Sequence, residues 1–339
     1  WSFDGRELSF QARKADEGCD RIYRMEPGAV QGPVRVSSGE GATTCAHFLP
    51  SGGIIYASTH LGGVTCPPKP DFSRGYVWAL HPSYDIFYLP PRAGDATQTP
   101  TRLTQSPGYD ADGTVCAKDG SILFTSVRDG DLELYRMDRD GKNVRRLTNA
   151  AGYDGGAFFN ADCSKIVWRA SRPRGPALDE YRALLAQNLV RPSKLEIWIA
   201  DADGKNSRQL TAENADDFAP TVSPDGKYIV FVSTRSGTAR LWRIDIDGKN
   251  PLRLTEETAA SGDYNPVITA DGKSVLYNDA FVGNKQPSRL LKISIDGGAP
   301  TVVHSDSRYS TFLPQPSPDG KTLLFTAYNI STFEERIYL

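Results

Sequence analysis

The sequence predicts an all-β fold: a single β-propeller of four-stranded antiparallel blades, with seven blades favoured and one short helix in a loop insert. Three observations support this prediction. A motif of the form SPDGKYIVFVSTRSG recurs along the chain, a second motif of the form LWRIDIDGKNPLRLT follows it, and the copies are regularly spaced. Tandem units of four short strands are typical of propellers, because one blade cannot bury both of its faces alone.

The first motif occurs in seven copies, some of them divergent. Consecutive copies lie 43 to 68 residues apart, with anchors at positions 4, 51, 119, 162, 225, 271 and 319. A unit of about 45 residues with two large inserts accounts for this spacing. Residues 1–339 are therefore predicted to form one propeller domain. Six blades would require one copy to be a decoy, and this alternative stays open.

The second motif supplies the third and fourth strands of each unit. It reads LWRIDIDGKNPLRLT at 241–255 and LYRMDRDGKNVRRLT at 134–148. In the strand that follows the first motif, Tyr228 and Val230 face one way and Ile229 faces the other. Apolar residues on both faces predict a strand enclosed between two neighbouring sheets.

The Asp-x-Asp-Gly element at 245–248 is similar to the start of a calcium-binding loop. The downstream Asp or Asn ligand and the glutamate of such a loop are missing, and the element recurs between two strands in several units. An Asp-Gly pair supplies the positive φ that a tight turn needs. These elements are therefore predicted to be hairpin turns.

Composition narrows the classes of function. The formal net charge is −2, and no basic excess indicates a nucleic-acid partner. No apolar stretch approaches the roughly 20 residues of a membrane span. We therefore predict no nucleic-acid partner and no direct membrane span.

The S-P-D-G-K element, followed by D-x-D-G and Leu-Thr, resembles the WD40-like PD40 repeat of TolB-type propellers, which is shared with the propeller domains of the prolyl oligopeptidase family. The resemblance covers essentially the whole chain. It implies a protein of the bacterial envelope, periplasmic or otherwise extracytoplasmic, whose propeller serves in docking or gating. TolB-type proteins have an N-terminal domain that residues 1–339 do not contain, and six blades rather than seven.

Large inserts fall in the loops between second and third strands. They occupy residues 60–83 in blade 2 and 172–194 in blade 4, and smaller ones lie at 13–20 and 280–288. The strand order places all of them at one end of the blades. Binding tends to concentrate in loops on a rigid scaffold, so this end is predicted to carry the function.

Side chains in the two large inserts are candidates for binding a protein partner. The blade 4 insert predicts a helix from Pro176, with Leu178, Tyr181, Leu185 and Leu189 on one face. This face either packs on the propeller rim or forms a docking or lid helix. The aromatic group of the blade 2 insert is either an interface anchor or a small local cluster. The candidates are Phe72, Arg74, Tyr76, Trp78, His81, Tyr181 and Leu185.

Aspartates precede the inner strands of several units. We expect four of them around the channel mouth at the insert-bearing end, namely Asp110, Asp154, Asp216 and Asp263. Two interpretations are open. The carboxylates accept hydrogen bonds from neighbouring backbone N–H groups, or they form an acidic mouth that attracts a cation or a basic segment.

Five cysteines suggest disulfides. Cys45 and Cys66 are expected at the insert-bearing end, and Cys116 and Cys163 at the other end of adjacent inner strands. Each pair is a disulfide candidate, which leaves Cys19 over. Reduced, buried cysteines are the alternative, and an extracytoplasmic location favours the oxidised form.

Motifs for catalysis are scarce. No Gly-x-Ser-x-Gly element occurs, and the four histidines fall at 47, 60, 81 and 304, so no catalytic triad is readable. Cys45, His47, His60 and Cys66 are suitable ligand types for zinc, but their spacing matches no compact finger. We therefore predict no enzyme activity, no metal and no cofactor.

The favoured function is a non-catalytic propeller that docks another protein in the envelope, as a peripheral subunit of a membrane-associated complex. The alternative is the gating propeller domain of a prolyl oligopeptidase-type hydrolase whose catalytic domain is absent from this chain. The chain opens at Trp1 inside one copy of the motif and stops at Leu339 inside another, so we expect residues beyond both ends. A metal-dependent carbohydrate lyase is a third hypothesis, which the shortage of histidines disfavours.

Overall fold

Seven antiparallel sheets follow one another along the chain in a computed structural model that describes residues 1–73, 75–92, 98–256, 262–280, 287–332 and 334–339. Among these residues, five of the sheets have four strands, and the first and last have three. The predicted all-β propeller with seven blades of four-stranded antiparallel type is thus confirmed. The chain divides into two compact units, residues 1–193 with 200–207 and residues 194–199 with 208–339.

The strands of the first three blades and their loops are β1 (Leu8–Ala12), β2 (Arg21–Met25), β3 (Val34–Arg35), β4 (Thr43–Phe48), β5 (Ile54–Ser58), β6 (Trp78–Ala79), β7 (Asp85–Leu89), β8 (Thr101–Arg102), β9 (Asp110–Val115), β10 (Ile122–Ser126), β11 (Glu133–Met137) and β12 (Arg145–Arg146). A 3₁₀ turn spans His60–Gly62. Blade 4 and its insert contain β13 (Asp154–Phe159), β14 (Lys165–Ala170), the helix α1 (Pro176–Leu185), β15 (Leu189–Val190), β16 (Glu196–Asp201) and β17 (Arg208–Gln209).

The last three blades contain β18 (Asp217–Val222), β19 (Tyr228–Ser233), β20 (Arg240–Asp245), β21 (Leu252–Arg253), β22 (Tyr264–Ile268), β23 (Ser274–Asn278), β24 (Leu290–Ser294), β25 (Thr301–His304), β26 (Tyr309–Pro316), β27 (Leu323–Asn329) and β28 (Glu335–Tyr338). Within each blade the strands pair in chain order. The exceptions are β6 and β15, which leave blades 2 and 4 and pair with each other.

The second strand of each blade lies in the core, as its apolar pattern predicts. In β19, Val230 and Val232 pack with Val275 and Tyr277 of blade 6. Phe231, on the opposite face of the strand, is fully buried as well. Burial of both faces is what distinguishes a strand between two sheets from a strand at a surface.

The Ser-Pro-Asp-Gly motif builds its turn with its own side chains. The Ser223 hydroxyl donates to Asp225 Oδ1 at 2.6 Å and accepts from the Tyr228 N–H at 3.0 Å. The Gly226 N–H donates to the Ser223 carbonyl at 2.8 Å, and Gly226 has a φ of +72°. That φ favours glycine, which explains the Asp-Gly pair.

The Asp-x-Asp-Gly elements are also turns. Asn250 Nδ2 donates to Asp245 Oδ2 at 2.7 Å, while the Lys249 N–H donates to Asp247 Oδ1 at 3.0 Å. The hydrogen bond from the asparagine amide to the first aspartate of the turn, which we call the turn clamp, recurs in two more blades. It joins Asn143 to Asp138 and Asn206 to Asp201. The carboxylates are thus used by the turns, and no metal-binding group of three or more His, Cys, Asp or Glu side chains occurs among the described residues.

The threonine in the Leu-Thr ending of the second motif accepts a hydrogen bond from a backbone N–H of the neighbouring strand. The Thr148 hydroxyl oxygen accepts the Leu134 N–H at 2.9 Å, where the two-residue strand β12 has already ended. The same bond recurs in three other blades, as Thr104 with Ile86, Thr211 with Ile197 and Thr255 with Leu241. The threonine therefore satisfies a buried backbone donor that the short outer strand leaves over.

Candidate functional site

The inserts of blades 2 and 4 meet and form one surface feature. Trp78 of β6 pairs with Val190 of β15 in an antiparallel register. The Leu80 N–H then donates to the Asn188 carbonyl at 2.7 Å. We call residues 60–83 and 172–194 together the insert cap. The sequence placed both inserts at the same end of the blades, but it did not predict that they share a sheet.

The helix of the insert cap begins at Pro176, as predicted, and packs onto the blade beneath it. Tyr181 is buried, and its hydroxyl donates to Asp131 in the loop between β10 and β11. Asp131 also accepts the Gly152 N–H at 3.1 Å. Leu185 is half-buried at the end of the helix. One face of α1 therefore anchors the cap on blades 3 and 4.

The prediction that Leu189 extends this helical face is wrong. The helix ends at Leu185, and Asn188 has a φ of +55° that redirects the chain into β15. Leu189 consequently lies in a strand and pairs with Ala79. Asparagine tolerates this left-handed conformation, so the turn needs no glycine.

Aromatic side chains of the blade 2 insert line up from the surface to the interior. Phe72 and Tyr76 stack with ring centroids 5.8 Å apart and an interplanar angle of 6°. Tyr76 meets Trp78 edge-on at 6.5 Å, and Trp78 meets the buried Tyr153 of blade 4 at 5.8 Å. Phe72 is 49% exposed and Tyr76 70% exposed. Arg74, the charged member predicted for this group, lies outside the described residues.

Arg191 holds the outer part of the cap in place. Its Nε donates to the Tyr76 carbonyl at 3.2 Å, and its Nη1 donates to Glu180 Oε1 of α1 at 2.8 Å. Val77 and Leu80, on the inner side of the same segment, are buried. The Arg191 bonds and the buried Val77 and Leu80 thus hold this segment in place, while Phe72 and Tyr76 remain exposed to solvent.

His81, the remaining candidate of the blade 2 insert, lies apart from the Phe72–Tyr76 pair. It is half-buried, and its ring centroid lies 6.2 Å from that of Tyr84. Burial lowers the pKa of His81, which favours the neutral ring. The structure therefore brings Phe72, Tyr76 and Trp78 together and leaves His81 outside that group.

A polar group that the sequence did not reveal lies on the inner strands of blades 2 and 3. The Cys45 thiol lies 3.5 Å from Asp112 Oδ1. Both residues have a positive φ, 54° and 56°, at bulges where the inner strand shifts register. Burial raises the pKa of the Asp112 carboxyl. The equivalent bulge residues of blades 4 to 7 are Gly156, Ala219, Asn265 and Leu313.

Asp112 could have been singled out from the sequence by comparing equivalent positions in the repeats. An ionisable side chain stands at a position where later copies carry none. Arg169 of blade 4 adds a positive charge nearby and donates from Nε to the Tyr153 hydroxyl at 3.3 Å. Burial raises the pKa of Tyr153 to about 12, so its phenol stays neutral. The group therefore provides neutral and paired polar contacts rather than an exposed nucleophile.

The aspartates predicted for a channel mouth are held by arginines. An ion pair with the residue 18 positions downstream occurs in three blades, as Asp110–Arg128 at 3.0 Å, Asp154–Arg172 at 2.7 Å and Asp217–Arg235 at 2.8 Å. Asp263 instead pairs with Arg240 at 3.4 Å. In blade 5 the paired residue is Asp217, whereas the predicted Asp216 accepts the Leu195 N–H at 3.2 Å.

These contacts fit neither of the two sequence-based interpretations fully. Asp110, Asp154 and Asp263 are buried, and their partners are side chains rather than only backbone N–H groups. The repeated 18-residue spacing was visible in the sequence. An acidic mouth open to a cation or a basic partner gains no support from buried, paired carboxylates.

Two disulfides are formed, Cys19–Cys66 and Cys116–Cys163, with Cα atoms 5.6 and 5.8 Å apart. The second pair is the one predicted. The predicted Cys45–Cys66 pair is wrong, because the Cys45 side chain lies beside Asp112 of blade 3 and not beside the insert. The short insert at 13–20 brings Cys19 to the blade 2 insert instead.

Residues that could belong to a zinc site or act as a serine nucleophile make other contacts in this structure. Cys66 is bonded to Cys19, which removes it from the four zinc ligands considered. Ser58 Oγ lies 2.8 Å from His60 Nδ1, but Ser58 is buried and has only 1% of its surface exposed. The pair occupies the position of two Ser–Arg pairs in other blades, Ser126–Arg128 and Ser233–Arg235. It is therefore part of the blade structure.

The structure offers no sign of a membrane-spanning helix: within the described ranges, no helix is both long and apolar enough to cross a bilayer.

Comparison with known proteins agrees with the fold. Residues 175–335 match the family model described as the TolB beta propeller domain. The chain is 25% identical over 237 residues to an uncharacterised protein of Agrobacterium fabrum, Atu1656, covering 69% of this chain and 64% of that protein. It is 28% identical over 138 residues to the TolB homologue of Chlorobium chlorochromatii, covering 34% and 31%. The chain thus matches less than two thirds of the length of either relative.

Solved structures show the same fold along almost the whole chain. A putative TolB from Agrobacterium tumefaciens is 19% identical, with a TM-score of 0.54, and the match covers 91% of this chain and 94% of that one. A puromycin hydrolase is 16% identical, with a TM-score of 0.61, covering 98% of this chain and 52% of that one. The resemblance carried by the repeated motifs is confirmed: this chain has a β-propeller fold, and residues 175–335 are similar to the TolB beta propeller domain.

Proposed function

We propose that this propeller is a non-catalytic docking protein of the bacterial envelope, and that the insert cap is the surface through which it binds a protein partner. The observation that carries the proposal is the exposed Phe72–Tyr76 pair on an otherwise anchored segment. Aromatic side chains that are held rigid lose little conformational entropy on binding, which makes them effective interface anchors.

The anchoring contacts support a preformed surface. Arg191 ties the Tyr76 backbone to the helix, and Tyr181 ties the helix to blade 3. The disulfide Cys19–Cys66 ties the same insert to blade 1. These three attachments hold the backbone beside the exposed aromatic pair in place.

The envelope location and the membrane-associated complex belong to the same proposal. Two disulfides favour an oxidising compartment outside the cytoplasm. The family resemblance implies the envelope as well, and we assign the docking propeller the role of a peripheral subunit of a membrane complex.

The test compares capture of partners from envelope extracts by the full chain and by two double variants. Phe72→Ala with Tyr76→Ala should reduce recovery of the specific partner at least tenfold, or about 1.4 kcal/mol. The matched control is Val302→Ala with Val303→Ala, an exposed apolar pair on β25 of blade 6. If both double variants recover the partner as well as the unmodified chain does, the insert cap is not the docking surface.

A second candidate is the gating domain of a hydrolase. It rests on the structural match in which this chain covers about half, 52%, of a puromycin hydrolase. Reading the gene beyond the codon for Leu339 decides between the two. A catalytic domain encoded downstream would replace the docking proposal with this one, and a stop codon within the last blade would exclude it.

A further inference from the structure

Arg21 is a buried arginine at the boundary between blades 1 and 2. It begins β2 and is 5% exposed. Its Nη1 donates to the carbonyl oxygens of Asp20, at 3.2 Å, and of Gly41. The Gly41 N–H in turn donates to the Val64 carbonyl of the insert cap at 3.1 Å. Both acceptors of Arg21 are neutral backbone groups, although a guanidinium group in a protein is always charged.

The other edge of the Arg21 guanidinium group has donors to spare. Its Nε is buried and has no hydrogen-bond partner, and its Nη2 donates to no atom within the described ranges. These two nitrogens form an edge that can hold a carboxylate or a similar anion through two parallel N–H bonds. Buried donors without acceptors are rare, because they lose their hydration without compensation.

No carboxylate in the part of the chain that the structure describes forms an ion pair with Arg21. The two acidic residues nearest in sequence have other partners. Asp20 Oδ2 accepts from Gln11 Nε2 at 2.6 Å, and Glu17 pairs with Arg35 at 3.4 Å. Glu17 acts on Arg21 only through a longer-range electrostatic attraction. A buried charge without a partner is unfavourable, so the environment of Arg21 favours an anion.

Arg240 shows how the same position is neutralised in another blade. It begins the third strand of blade 5, as Arg21 begins the third strand of blade 1. Its Nη1 likewise donates to the preceding carbonyl, that of Ala239, at 3.1 Å. Arg240 is 1% exposed, but it pairs at 3.4 Å with Asp263, which precedes the inner strand of blade 6.

Thr43 takes the position of this aspartate in blade 2. It precedes the bulge residue Cys45 by two positions, as Asp263 precedes Asn265 in blade 6. Thr43 is 1% exposed, and its hydroxyl donates to the Asp20 carbonyl at 2.9 Å. The boundary between blades 1 and 2 therefore has the buried arginine of the boundary between blades 5 and 6 but not its carboxylate.

We propose that Arg21 binds a small monovalent anion, chloride or a short carboxylate, between blades 1 and 2. The anion accepts N–H bonds from the Nε and Nη2 edge and neutralises the guanidinium group, as Asp263 neutralises Arg240. The burial of Arg21 and Thr43 restricts the site to a small ion. This site goes beyond docking at the insert cap and does not depend on it.

Chloride NMR of the full chain tests the proposal, because exchange of the ion with a protein site broadens its resonance. We expect a broadening that saturates and that sodium formate displaces. The melting temperature should rise by about 2 °C between 10 and 500 mM chloride, or formate, when a bulky sulfonate keeps the ionic strength constant. Absence of saturable broadening, or a melting temperature that neither anion changes, overturns the proposal.

Two variants locate the site. Thr43→Asp supplies the carboxylate that Asp263 supplies beside Arg240, and Arg21→Gln removes the positive charge. Each should reduce the saturable broadening at least about tenfold and remove the chloride dependence of the melting temperature. The matched control is Thr101→Asp, the same substitution on the exposed strand β8, which should change neither.

Broadening that persists at full strength in a folded Thr43→Asp or Arg21→Gln variant places the ion elsewhere and overturns the proposal. Equal loss of broadening in Thr101→Asp does so as well, because net charge would then explain the effect. If neither buried variant folds, the response of the unmodified chain to chloride and formate still decides.

Discussion

The turns of the repeated motifs are stabilised by contacts within each turn, whereas the insert cap is stabilised by contacts between distant segments of the chain. Each repeated turn satisfies its own polar groups, and the clamp from Asn250 to Asp245 recurs at equivalent positions in blades 3 and 4. The insert cap has no second copy, and its contacts, such as Tyr181 with Asp131, join segments that are 50 residues apart. Repetition indicates residues that maintain the scaffold. Residues that interrupt it are the ones to examine for binding.

The largest effect should come from the scaffold. Replacing Cys116 and Cys163 by serine removes a bridge that closes a loop of 47 residues between two blades. We expect the free energy of unfolding to fall by about 2–4 kcal/mol in urea titrations. Cys45→Ser is the control, since Cys45 carries no disulfide and should cost much less. Equal losses in both would show that thiol burial, not the bridge, stabilises the protein.

Loss of the threonine hydrogen bond in the Leu-Thr ending should give the next largest effect on stability. Thr148→Val keeps the side-chain shape but leaves the buried Leu134 N–H without its acceptor. An unsatisfied buried donor costs about 1–2 kcal/mol of stability. Thr101→Val, on the exposed strand β8, is the matched control and should change the unfolding free energy little. A neutral Thr148→Val variant would mean that the repeated threonines are not structural.

Protonation of His47 should make the free energy of unfolding depend on pH. Burial lowers the pKa of His47 to about 4, so the folded protein keeps the ring neutral. The unfolded chain takes up a proton near pH 6.5, so stability is fully present above that pH and is lost as the pH falls toward 4. Between pH 6.5 and pH 5.5, unfolding titrations should show a loss of about 1 kcal/mol that His47→Gln removes. The same slope in both proteins would assign the loss to another group.

The smallest effect on stability should come from the insert cap. Phe72→Ala with Tyr76→Ala removes two exposed rings and should change the unfolding free energy by less than about 0.5 kcal/mol. A large loss would mean that the stacked pair is a local core rather than a docking surface. Thermal unfolding of the double variant beside the unmodified chain decides this.

Most of the fold was predictable because its cause is repeated. The Asp-Gly anchors, the alternating apolar strands and the Leu-Thr endings occur often enough to define seven blades. The Asp–Arg pairs were equally readable, since their 18-residue spacing recurs in three blades.

The candidate site was less predictable, because its contacts are long-range and occur once. Strands β6 and β15 have two residues each, too few to show a periodic pattern. The Cys19–Cys66 bridge depends on where two loops of different blades meet. The positive φ of Cys45, which turns its thiol toward Asp112, follows from a bulge that spacing alone does not reveal.

The most direct test of the docking proposal is the affinity of a captured envelope partner for the full chain and for the Phe72→Ala with Tyr76→Ala variant, measured by surface plasmon resonance with both proteins folded. We predict a loss of at least about tenfold for that variant and none for Val302→Ala with Val303→Ala. Equal affinity for all three proteins would contradict the assignment of the insert cap as the binding surface.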